Sequence, residues 1–117
     1  MKYSDWQDDF REEKPETVLV KKYIPSNSML ADMCNFFSIF SDVTRVKILT
    51  ALSITELCVT DISESLALNQ TTVSHQLKLL RDAGMVQFRR DGKVIYYKAT
   101  NKYIDEIMAT GAKHLGY

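Results

Sequence analysis

A charge imbalance is the first thing this chain of 117 residues lacks: 15 Lys and Arg stand against 15 Asp and Glu, for a formal net charge of zero. Long apolar runs are missing as well. No stretch approaches the roughly 20 apolar residues of a membrane-spanning helix, and the acidic opening MKYSDWQDDFREEKPE has no apolar signal-peptide core. A cytoplasmic location with no membrane partner is therefore expected. Only two His and two Cys are present, and neither histidine has a catalytic neighbour in the sequence. A Gly-rich phosphate loop, a nucleophile elbow and HExxH are all absent. An enzyme is not expected, although groups distant in sequence could still meet in the fold. A hydrophobic content of 45% in this length gives one domain with a modest core, not two.

Zero net charge would argue against a nucleic-acid binder only if the charges were evenly mixed, and they are not. From Gln76 to Lys98 there are six Lys or Arg against two Asp, while residues 1 to 16 carry three basic against six acidic side chains. The local field, not the sum, governs docking to a polyanion.

The basic stretch overlaps the run LNQTTVSHQLKLLRDAG. Asn69 is a helix cap, Gly84 a helix stop, and Val73, Leu77 and Leu80 recur at helical spacing as one apolar stripe. At about 100° per residue, Thr71, Ser74, His75 and Lys78 fall opposite that stripe, with Thr72 on the flank and Gln70 in the first turn. Hydroxyls, an amide, an imidazole and a lysine suit the reading of base edges in a major groove and the holding of phosphates at its rim. A merely solvated face is the alternative, since polar helix faces are common.

Two strand-like segments follow, Met85 to Arg90 and Lys93 to Thr100, around Asp91-Gly92, a strong two-residue hairpin signal. Pairing Arg90 with Lys93 sets Phe88 opposite Ile95 and Val86 opposite Tyr97. The tip then presents Arg89, Arg90 and Lys93 to a phosphate backbone or a minor groove. The competing reading is that these cations only protect a sheet edge from aggregation.

Upstream, Met29, Leu30, Met33, Phe36, Phe37 and Phe40 form a helical stripe. Asp42 caps a second helix that runs to about Ser53, with Val46, Ile48, Leu49 and Leu52 inward. Leu57, Val59, Ile62 and Leu66 mark a third helix, in which Asp61-x-x-Glu64 has capping-box spacing. A last helix, Asn101 to about Leu115, aligns Tyr103 or Ile104 with Ile107, Met108, Gly111 and Leu115. That apolar stripe on a terminal helix asks for a partner. Residues 1 to 27 read as an arm, broken by Pro15 and Pro25, with partial strand-like alternation at 18 to 24. Its first part is either a short helix from about Ser4 to Glu13, pairing Trp6 with Phe10, or a disordered tail.

The order of these segments is that of a winged helix-turn-helix, mainly α with a β-hairpin wing, occupying residues 28 to 117. The stretch ELCVTDISESLALNQTTVSHQLKLLRDAGMVQFRRDGKVIYYKAT resembles the ArsR/SmtB family of small winged-helix repressors, and the similarity reaches back to about Leu30 through FFSIFSDVTRVKILTAL. The resemblance implies a homodimer, paired through its N- and C-terminal helices, that sits on an inverted repeat of double-stranded DNA and lets go when an effector binds. Gln70, Thr71, Thr72, Ser74 and His75 match the family's DNA-reading positions, and Arg89, Arg90 and Lys93 match its wing. A twofold also follows from reach, because one recognition helix reads only a few base pairs and needs a second copy about one helical turn away.

The family's sensor sites are both degraded here. The arsenic-type site needs several thiolates from an ELCVCDLC-like helix, but the segment is ELCVTDIS, with Thr60 and Ser63 at the other thiol positions. The cadmium-type variant adds arm cysteines, yet residues 1 to 33 contain neither Cys nor His. At the positions of the zinc-type site stand Asn101, Tyr103, His114 and Tyr117, of which only His114 is a good ligand. No metal and no cofactor are expected. Cys58 and Cys34 leave open a thiol-based sensor, the alternative being two inert thiols packed as small hydrophobes. A winged-helix module for protein association without specific DNA binding is the runner-up function.

Overall fold

The computed structural model describes residues 14–100 and 102–117. The expected Ser4 to Glu13 helix, with Trp6 and Phe10, and the candidate ligand Asn101 lie outside them. The chain divides into two units, at Cys34 and Asn35. Before that division lies α1 (Pro15–Tyr23), and α2 (Asn27–Ser38) runs across it. The expected strand alternation at 18 to 24 gives way to helix. Pro15 pre-sets the first turn, Glu16 sits near the positive end of the dipole, and Lys21 and Lys22 sit near the negative end.

The second unit continues with a 3₁₀ turn (Ile39–Ser41), then α3 (Val43–Ile54), β1 (Leu57–Cys58), α4 (Val59–Leu66), α5 (Gln70–Asp82), β2 (Val86–Asp91), β3 (Val94–Ala99) and α6 (Ile104–Leu115). Among the described residues there are six helices, and in the second unit the helices and a three-stranded antiparallel sheet in the order β1-β3-β2 make the winged helix-turn-helix. The apolar stripes converge on one core. Ile48, Leu49 and Leu52 of α3, Ile62 of α4, Val73, Leu77 and Leu80 of α5, Met85 and Val86 at the root of β2, and Ile104 of α6 are buried together. Burying each such aliphatic side chain contributes about 1.5–3 kcal/mol.

Caps set the helix ends. The Asp42 carboxylate accepts from the Arg45 backbone N–H at 2.9 Å, and the Asn69 side chain accepts from Thr72 N–H at 2.7 Å. The end of α5 is a Schellman motif: Gly84 N–H donates to Arg81 C=O and Met85 N–H to Leu80 C=O, both at 2.9 Å. Gly84 takes the left-handed conformation the motif needs, φ +74°. No capping box forms at Asp61-x-x-Glu64, because α4 begins two residues earlier, at Val59, and Asp61 already lies in its first turn. Likewise α6 starts at Ile104 rather than Asn101.

The hairpin register differs from the expected one by two residues. Asp91 pairs with Val94, Phe88 with Tyr97 and Val86 with Ala99. Gly92 has φ +62° while Lys93 does not have positive φ, so the loop is Gly92-Lys93, the type II′ pattern, rather than Asp91-Gly92. A type I′ turn would have forced Asp91 into positive φ. A shift of two preserves which face each side chain occupies, as the period of a strand is two.

Candidate nucleic-acid interface

The turn Ala67-Leu68-Asn69 delivers α5 to the surface. Ala67 is left-handed at φ 54°, and the Ser63 hydroxyl donates to Leu68 C=O, closing the corner. Behind α5, Arg45 Nε of α3 donates to Gln76 Oε1 at 3.1 Å. With Val73, Leu77 and Leu80 in the core, the helix cannot rotate without unburying them. Gln70, Thr71, Ser74, His75 and Lys78 are exposed on the outer side and Thr72 is half-buried beside its cap. Lys78 makes no ion pair among the described residues. The outer face of α5 is thus rigidly carried and chemically uncommitted.

On the hairpin the cations divide. Arg90 and Lys93 are exposed at the tip and unpaired among the described residues. Arg89 lies on the other face, where its Nε donates to both oxygens of Glu56 at 3.0 Å and an NH₂ donates to Oε1 at 2.5 Å. The guanidinium also stacks over Tyr96, 4.7 Å from the ring centroid. Hydrogen bonding from Arg89, with its charge, holds the Glu56 carboxyl below the usual carboxylate range, and Glu56 in turn raises Arg89. Arg89 is therefore engaged within the protomer and is not poised at the tip as expected. Glu56 had no signal in the sequence that linked it to the wing.

Leu57 and Cys58 pair with Tyr97 and Tyr96 of β3, so the entry to α4 is hydrogen-bonded into the wing sheet. Cys58 is half-buried and its Sγ donates to Asp61 Oδ2 at 3.1 Å. Cys34 is exposed, and both thiols are free. His114 is exposed in the last turn of α6, and Tyr103 and Tyr117 are exposed as well. Among the described residues no three His, Cys, Asp or Glu side chains gather as a metal site would require, and no helix is long and apolar enough to cross a membrane.

Residues 42–87, from the cap of α3 to the root of the wing, match the model of the bacterial regulatory protein, arsR family. A transcriptional repressor SmtB homolog of Synechocystis is 32% identical over 96 residues, which cover 82% of this chain and 73% of the relative. This chain belongs to the ArsR family. A cadmium resistance transcriptional regulatory protein CadC homolog of Staphylococcus aureus is 34% identical over 84 residues, covering 71% of this chain and 69% of that one. Among solved structures, the homodimeric winged helix-turn-helix DNA-binding domain of Mycobacterium bovis Mb0332 superposes with a TM-score of 0.68 at 24% identity, covering 80% of this chain and 93% of that one. As an ArsR-family member the protein is a DNA-binding transcriptional regulator, not an enzyme.

Proposed function

We propose that this protein represses transcription as a homodimer on an inverted-repeat operator, with α5 in the major groove and the hairpin tip along the backbone. The observation that carries this reading is the conjunction of an uncommitted hydrogen-bonding face on a core-anchored helix with two unpaired cations at the wing tip. Gln70, Thr71, Thr72, Ser74 and His75 read bases or their immediate surroundings, while Lys78, Arg90 and Lys93 hold phosphates. Arg89 acts differently, by fixing the wing through Glu56.

Dimerisation is supported by apolar surface that one protomer leaves in water. Val43, Ile54 and Leu115 are 75%, 78% and 72% exposed, and an open groove of about 750 Å³ runs between α3, α4 and Met108 of α6. The M. bovis domain, which shares the fold, is homodimeric, and that supports the same reading.

Effector release is proposed to act on thiols. Cys58 is the one thiol in the ELCVTDIS segment, and no three ligating side chains gather around it among the described residues, so a metal ion is not the reading these residues favour. Oxidation or persulfidation of Cys58 or Cys34 by a cellular oxidant or persulfide donor is the reading carried forward, supported by both thiols being free and Cys34 exposed. Either event at Cys58 would reach the wing through the β1–β3 pairing.

Substitution separates the assigned roles. Lys78→Ala should weaken binding to every duplex alike, whereas His75→Ala and Thr71→Ala should narrow the difference between operator and scrambled duplex. Unchanged binding in all three variants would refute the docking model.

A further inference from the structure

On the wing side of α5, Ser74, Lys78 and Arg81 follow one another at i, i+4 and i+7, and with Leu77 they line a notch of about 130 Å³ that Tyr97 of β3 closes. No acidic side chain lines it. Arg81 lies 5.4 Å from the centroid of the Phe88 ring, and Phe88 packs against Tyr97 with centroids 6.1 Å apart. The wing thus holds Arg81 at the mouth of the notch. Neither Lys78 nor Arg81 has an ion-pair partner among the described residues, so two like charges one helical turn apart line the notch without a paired carboxylate. That arrangement disfavours the empty state and favours an anion between them.

We infer that this notch is a binding site for one backbone phosphate of the operator, at the strand that crosses between the reading helix and the wing. Lys78 and Arg81 supply charge, and the Ser74 and Tyr97 hydroxyls supply hydrogen bonds to the phosphate oxygens. Arg81 and Tyr97 are new members of the interface. The rival explanation is that Arg81 merely covers the Phe88 ring. The inference rests on the proposed docking of α5, and it adds a phosphate contact that the tip cations cannot make.

The test measures affinity of the purified full chain for the operator duplex and for a scrambled duplex across a salt series. The variants are Arg81→Leu, which still covers Phe88, and Tyr97→Phe, which keeps the ring and removes only the hydroxyl. One phosphate contact contributes about 0.9 to the slope of log affinity against log salt. Arg81→Leu should make the slope shallower, by at most about 1.8 for the two notches of a dimer because Lys78 still faces each phosphate, and should weaken both duplexes by the same factor. Tyr97→Phe should weaken both severalfold with the slope unchanged. A wild-type slope in Arg81→Leu would overturn the phosphate site while leaving the docking model standing. Failure of the wild-type protein to bind either duplex would overturn the docking model itself, and the notch assignment with it.

Discussion

Neutralising the wing cations one at a time should separate them into two classes that their adjacency in sequence conceals. Arg90 and Lys93 carry free charge at the tip, whereas Arg89 is already balanced by Glu56 through three hydrogen bonds. Each free cation seated on a phosphate releases a counterion equivalent of about 0.9, so Arg90→Gln or Lys93→Gln in a dimer should lower the salt slope by about 1.8. Between 50 and 200 mM salt that is a loss of roughly 12-fold in salt sensitivity per variant. Arg89→Gln should leave the slope as it is, because no free charge is removed. Its effect should be a looser wing, seen as a uniform drop in affinity at every salt concentration. Fluorescence anisotropy over a salt series reads both quantities. A fall in slope for Arg89→Gln equal to that for Arg90→Gln would mean that Arg89 leaves Glu56 for a phosphate on binding, and the two-class division would be refuted.

Further consequences concern the scaffold. Asn69→Ala removes the cap on Thr72 N–H and should cost about 1 kcal/mol in chemical denaturation. Ala67→Gly relieves a left-handed alanine; gaining about 1–2 kcal/mol of relief against about 0.5–1 kcal/mol of added chain entropy, it should raise stability slightly. Leu80→Ala empties a fully buried position and should cost about 2–5 kcal/mol by the same measurement. The depressed Glu56 carboxyl contributes stability that is present above its unfolded-state pKa and lost as pH falls through the folded value. Glu56→Gln should therefore flatten the acid limb of the stability curve, and an unaltered limb would show that the pair contributes nothing to folding.

What was legible in the sequence was what is written locally. The Asn69 and Asp42 caps, the Gly84 stop and the α5 stripe depend on side chains within four residues of one another, and all of them form as read. The hairpin was legible in its faces but not its register, because a slip of two leaves the apolar pattern intact and only the backbone angle of Gly92 chooses the turn. At 18 to 24, Val and Ile imitate a strand, while the helical signal lies at the ends, in Pro15 and in the basic last turn. The two-residue β1 is too short to have a period. Least legible was the clamp between Glu56 and Arg89, 33 residues apart: nothing local distinguishes a paired arginine from its free neighbour, and only the topology that lays β1 against β3 brings them together.

Binding of the purified protein to an inverted-repeat duplex from upstream of its own gene, set against a scrambled duplex at one stated salt concentration, tests the central claim most directly. A sequence-specific repressor should prefer the repeat by about a thousandfold or more, with two protomers per duplex. Equal affinity for both duplexes, or one protomer bound per duplex, would contradict it.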